Sequence, residues 1–196
     1  MPTHLQLQQE LLAMEAADRN LHTELSAANE LGDGYHPRMK SLHVRNAARL
    51  REIIAEHGWP GRSLIGEDGT DAAWLILQHA ISEPEFMRGS VVLLEQSVAA
   101  GETAAWHLAY LTDRIAFFEG RPQRYGTQWD VEDDGTNVLG DLESPEHVDE
   151  WRKSVGLWSL SERLGPEKWP AVLARRRSAK RSNEFSDWVR QMGWRK

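Results

Sequence analysis

The sequence predicts a mostly α protein: a single helical domain of five to seven helices with one short β-hairpin. Two observations carry this expectation. Apolar residues recur at three- and four-residue spacings through segments punctuated by Gly32-Asp33-Gly34, Gly58-Trp59-Pro60-Gly61, Pro84, Gly101 and Gly120. Only around 123–140 does the pattern change to strand-like alternation. Residues 1–164 are read as the helical core domain, and 165–196 as a basic, Trp-containing C-terminal extension.

Residues 4–30 read as the first helix, with Leu5, Leu7, Leu11, Leu12, Met14, Leu21 and Leu25 at helical spacings. Pro37 suits a first helical position. The second helix then runs over 37–57, with Met39, Leu42, Asn46, Leu50, Ile53 and Ile54 inward and His43 beside them. Arg62 to Gly69 reads as a loop, and Thr70 or Asp71 as the cap of a central helix over 71–82. Within it, eight of the ten residues Ala72 to Ile81 are apolar and no polar face remains, so the helix belongs in a core. A helix over 84–100 follows, with Phe86, Val91, Leu94 and Val98 inward. The next, over 103–119, carries the stripe Trp106, Ala109, Tyr110, Asp113 and Phe117. Gln123 to Val131 alternates, Glu132-Asp133-Asp134-Gly135 is a turn signal, and Thr136 to Leu139 returns. A helix from Ser144-Pro145-Glu146 to about Gly156 and a helical turn over 159–164 close the core domain. The extension is read as helical.

At 196 residues the chain is long enough to bury a sizeable core, and 40% hydrophobic with 27% charged residues is ordinary for a soluble protein. The absence of cysteine excludes disulfides and thiolate chemistry. Neither a signal peptide nor a membrane-spanning segment is evident, so no membrane partner is expected and the cytoplasm is the default location. The net charge of −7 hides an asymmetry. Residues 171–196 carry eight basic groups against two acidic ones, a net +6, which leaves −13 elsewhere. That acidic remainder disfavours nucleic acid as a partner. The extension is expected to dock through tryptophans such as Trp188 and Trp194.

The chemistry-bearing residues are the polar ones on otherwise apolar segments. Gln78 and His79 enter the core with the central helix, and each needs a hydrogen-bond partner there. His43 and Asn46 lie on helix two, Asp113 and Arg114 on helix five, and Gln123, Tyr125, Thr127 and Gln128 on the hairpin. If helices two, three and five pack together, these groups converge on one pocket. His79 is then the first candidate for acid or base, with Asp113 orienting it and His43 as the second titrating group. Asn46, Gln78, Arg114, Tyr125, Thr127 and Gln128 are the candidate substrate-binding groups. The plainer reading is that each is a core group satisfied by its neighbours, with Asp113 and Arg114 as structural ion partners. His43, His79 and Asp113 also make a two-His, one-carboxylate set, as in non-haem iron sites. No local spacing such as His-x-x-x-His supports it, so neither metal nor cofactor is assigned. A P-loop, a Gly-x-Gly-x-x-Gly turn, a Gly-x-Ser-x-Gly elbow and a calcium loop are all missing.

Five blocks occur in one order: His43-Val44-Arg45-Asn46, Gly58-Trp59-Pro60, Ala73 to Ala80, Leu111-Thr112-Asp113-Arg114 and Gly120 to Gln128. Together they resemble a bacterial family known as domain of unknown function 6624, over roughly residues 8–164. The resemblance implies no chemistry. From the residues themselves, the expectation is a small soluble enzyme using His/Asp acid–base chemistry on a small polar or peptide-like substrate. A non-catalytic ligand- or protein-binding module with the same pocket is the alternative, and a metal-dependent enzyme a third. Gly126 adds one expectation. Glycine inside a strand marks a bulge, packing against a bulky neighbour such as a tryptophan, or a close approach to the backbone. If this strand walls the pocket, at least two of Tyr125, Thr127 and Gln128 contact His43, His79 or Asp113.

Overall fold

The computed structural model describes residues 4–31 and 35–196. Within them the chain is mostly α with one short antiparallel hairpin, as the sequence predicts. It divides into two compact units, Met1–Thr103 and Ala104–Lys196. Among the described residues, seven helices lie before residue 165 and two more in the extension. Among the described residues no helix is long and apolar enough to cross a membrane.

The first unit holds α1 (His4–Ala27), α2 (Pro37–His57), α3 (Arg62–His79) and α4 (Pro84–Ala99). The first three pack on one another. Leu7, Leu11, Asp18 and Leu25 are the buried residues of α1, and Met39, Leu42, His43, Asn46, Ala47, Leu50 and Ile53 those of α2. The α2 bounds match the sequence reading because both ends are marked. Pro37 opens the helix without an orphaned N–H, and Gly58, at φ 73°, closes it by donating its N–H to Ile54 O.

α3 begins nine residues before the expected start. The segment read as a loop is helical from Arg62, broken only at Gly66, whose φ of 73° and ψ of 172° suit glycine alone. The expected cap at Thr70 is corrected accordingly. Its hydroxyl donates to Gly66 O at 2.9 Å and Pro60 O at 3.2 Å, tying the two helical pieces together rather than starting one. α3 ends at His79, before the expected Ser82.

The second unit holds α5 (Ala105–Glu119), β1 (Trp129–Val131), β2 (Asn137–Leu139), α6 (Val148–Ser154), α7 (Leu160–Leu164), α8 (Trp169–Ala174) and α9 (Ala179–Gln191). Trp129, Asp130 and Val131 face Leu139, Val138 and Asn137. The strand expected from Gln123 starts six residues later. Gln123 to Gln128 is instead a loop closed by side chains: Gln128 N donates to Gln123 Oε1 at 2.8 Å, and Gln123 Nε2 donates to Gln128 O at 2.9 Å.

The extension packs into this unit through aromatic rings. Phe118 meets Trp188 at 5.3 Å and Trp194 at 5.0 Å between ring centroids, and Phe117 meets Phe185 at 5.0 Å. Arg195 donates to Phe118 O and Phe117 O, satisfying carbonyls at the end of α5. Arg181 and Arg177 pair with Asp130, and Lys180 with Asp133, so the hairpin's acids neutralise much of α9's charge.

Candidate functional site

The residues expected to share one pocket divide between the two units. His43, Asn46, Gln78 and His79 belong to the first; Asp113, Arg114, Tyr125, Thr127 and Gln128 belong to the second.

In the first unit the carboxylate beside both imidazoles is Asp18 of α1, where Asp113 was expected. Its Oδ2 lies 3.0 Å from His43 Nε2 and 2.9 Å from His79 Nδ1. The two imidazole rings are 5.0 Å apart between centroids and inclined by 40°. Asp18 and His43 are buried, at 2% and 6% exposure, whereas the His79 side chain keeps 30% and opens the cluster to solvent. Burial pushes the Asp18 carboxyl up, but the imidazoles of His43 and His79 beside it outweigh this and hold the group well below the usual carboxylate range.

The two imidazoles meet Asp18 differently. His79 Nδ1 is aligned as a hydrogen bond. His43 Nε2 is equally close, but it is off the hydrogen-bond direction and makes no hydrogen bond. The other nitrogen of that ring, Nδ1, is 2.7 Å from the Tyr35 hydroxyl. With Nδ1–H donating to the Tyr35 oxygen, the His43 Nε2 lone pair is left beside the carboxylate oxygen. Desolvation keeps Tyr35 a phenol by raising its pKa, and the nearby charges of Asp18 and Glu83 add to this. One helical turn along α2, the buried amide nitrogen of Asn46 has no hydrogen-bond partner among the described residues. An unpaired buried donor costs about 1–3 kcal/mol.

One ligand atom each from Asp18, His43 and His79 can be chosen so that all lie within 4.8 Å of one another. Metal bonds to imidazole nitrogen and carboxylate oxygen are ~2.0–2.2 Å long, which puts neighbouring ligand atoms about 3 Å apart. The Asp18–His43 and Asp18–His79 separations of 3.0 and 2.9 Å match that spacing, and they are hydrogen-bond distances as well. The hydrogen bond with Tyr35 on the far side of the ring is of the kind that would orient His43 as a ligand.

In the second unit the expected contacts of Tyr125 and Thr127 with Asp113 are present, and they are structural. Asp113 Oδ1 accepts from Arg124 N at 2.8 Å and Tyr125 N at 3.1 Å. Oδ2 accepts from Tyr125 N at 3.1 Å and from Thr127 N and Oγ1 at 3.0 Å. Burial still dominates and raises the pKa of this carboxyl, against the pull of those donors. Arg114 donates to Gln128 Oε1, and Gln128 Nε2 to Thr127 Oγ1, so these candidate binding groups brace the same loop. Gly126 has φ 63°, and a Cβ there would meet Leu160, Leu142 and Val148. Close aliphatic packing explains that glycine, where the sequence suggested a tryptophan.

Asp18 went unnoticed in the sequence, yet it leaves a signal. Leu7, Leu11, Met14, Asp18, Leu21 and Leu25 follow one another in alternating steps of four and three, so Asp18 occupies a core position of α1.

A mostly α chain with a buried carboxylate between two imidazoles is the class that fold and site define. A model for a family of unknown function (DUF6624) matches residues 5–166, and the chain belongs to that family. No curated protein and no solved structure matches it.

Proposed function

We propose that Asp18, His43 and His79 hold a divalent transition-metal ion, and that the protein is a metal-dependent enzyme acting on a small polar or peptide-like substrate. The observation that carries this reading is the approach of His43 Nε2 to Asp18 Oδ2 at 3.0 Å without hydrogen-bond alignment. In the tautomer whose Nδ1–H donates to Tyr35, Nε2 is an acceptor, and two buried acceptors at that distance repel unless a cation lies between them. Two imidazoles and one carboxylate are the donor set shared by catalytic zinc and non-haem iron sites. Three protein ligands leave coordination positions for water and for a substrate oxygen. Solvent reaches the cluster beside His79. The unsatisfied Asn46 amide would donate to a substrate carbonyl or anionic oxygen.

The test is elemental analysis of the full chain purified without chelator, followed by zinc and iron(II) titration calorimetry after metal removal. About one ion per chain is expected, with binding lost in His43→Gln and His79→Gln at unchanged circular dichroism. Turnover of an ester, amide and phosphate panel should vanish with chelator and return with metal. A protein that neither carries nor takes up a stoichiometric ion overturns the proposal. Chelator-resistant activity lost in His79→Gln would return the site to metal-free acid–base chemistry.

A further inference from the structure

The second unit contains a cavity of about 500 Å³, walled in part by Arg152, Arg163, Lys168 and Arg175, with Tyr110 and Trp129 beside them. No aspartate or glutamate lines it. In a chain of net charge −7, four cations around one cavity with no carboxylate among them are an arrangement that needs a reason.

Arg152 is the fixed member. It is 2% exposed, and its Nε donates to Trp158 O at 2.6 Å and its Nη1 to Tyr125 O at 2.7 Å. Both acceptors are neutral carbonyls, and Nη2 makes no hydrogen bond among the described residues. Asp149 lends a favourable field but is already engaged by Leu160 N and Ser161. A buried guanidinium without an ion pair is costly, and an anion in the cavity would relieve that cost.

The other three are exposed cations on or beside short elements. Among the described residues, the side chains of Arg163 and Lys168 form no hydrogen bond or ion pair, and the Arg175 side chain donates only to Asn137 O, at 3.4 Å. The basic residues at the start of α9 and just before it differ: Arg177, Lys180 and Arg181 are all paired with hairpin acids. Positive charge is thus neutralised on one side of the extension and left free around the cavity.

We infer that this cavity binds a small phosphate ester of nucleotide size, with the phosphates on the four cations and a planar body against Tyr110 and Trp129. The volume suits a mononucleotide. A guanidinium held in place offers paired donors to phosphate oxygens, and lysine adds a point charge. Indole and phenol rings suit the face of a base. The inference concerns the second unit alone and stands whether or not the first unit holds a metal.

Titration calorimetry of the full chain with ADP, pyrophosphate and adenosine tests it. ADP should bind, adenosine should bind about tenfold or more weakly, and ADP affinity should fall as salt is raised. The triple variant Arg163→Gln, Lys168→Gln, Arg175→Gln alters only exposed side chains, so its circular dichroism and Tm should stay unchanged. It should lose about tenfold or more of ADP affinity, consistent with charge-assisted phosphate contacts. Absence of ADP binding, or equal binding by the triple variant, overturns the inference. Binding of a single-stranded oligonucleotide without binding of ADP also overturns it and identifies a nucleic-acid surface instead.

Discussion

Asp113 is bonded as a structural carboxylate, and truncating it gives a sharp prediction. Asp113→Ala removes the acceptor of four donors: the N–H groups of Arg124, Tyr125 and Thr127, and the Thr127 hydroxyl. At about 1 kcal/mol for each lost bond, the loss is about 4 kcal/mol. Relief of the carboxylate's own desolvation returns part of this, since burial outweighs the donors and raises its pKa. A net destabilisation of about 3 kcal/mol follows, a large share of a domain's usual ~5–15 kcal/mol. Asp113→Asn keeps one carbonyl acceptor but turns an amide NH2 toward the donors of the other oxygen, and should cost about 2 kcal/mol. Urea denaturation followed by tryptophan fluorescence and circular dichroism measures both variants. An Asn variant as unstable as the Ala variant, or an Ala variant within about 0.5 kcal/mol of the native protein, would refute the loop-anchor argument. Loss of enzymatic turnover in Asp113→Asn at native stability would restore the orienting role that the sequence suggested.

Three further outcomes are expected. His107, 1% exposed, has its pKa pushed down by burial to about 4 from 6.5, so the unfolded chain takes up this proton first as pH falls. Its stability is therefore intact above about pH 6.5 and declines to a loss of about 3 kcal/mol near pH 4; His107→Leu should flatten that part of the urea-midpoint profile, and an unchanged slope would contradict the assignment. Gly126→Ala forces a side chain onto φ 63° and against Leu160 Cδ1 at 2.7 Å, so a loss of about 2 kcal/mol or more is expected by chemical denaturation. Zinc at a hundred times its dissociation constant should stabilise the native protein by ~2.7 kcal/mol in thermal or urea melts; the gain should be absent in the double variant His43→Gln, His79→Gln.

The parts of the fold that were legible are those with local signals. α2 was read to the residue because proline opens it and a glycine closes it. α3 was read short because Gly66 and Gly69, among acidic residues, look like a loop. The helix absorbs the break at Gly66 and resumes, since Gly69 lets Ile65 and Gln8 pack within 3.2 Å of where its Cβ would be. Gln123 to Gln128 alternates like a strand, but Asp113 supplies the acceptor that a neighbouring strand would otherwise provide. That substitution is a tertiary event with no local trace.

The site was legible in its imidazoles and not in its carboxylate. His43 and His79 stand out on apolar helices, whereas Asp18 lies on a long helix rich in exposed polar residues. Only its phase with Leu11 and Leu25 marks it as inward. Asp18 and Asp113 are both almost fully buried acids, and burial pushes both pKa values up; what surrounds them decides their use. Peptide N–H groups and a threonine hydroxyl surround Asp113, occupy both oxygens and leave it a fastener. Asp18 instead meets two imidazoles through a single oxygen, and one of those rings forms no hydrogen bond with it. An acid that is ionised, buried and incompletely satisfied retains affinity for a cation, while an acid saturated by backbone donors has none left to offer. The proposed chemistry is therefore placed at the Asp18 cluster, and the loop around Asp113 is read as scaffold of the second unit.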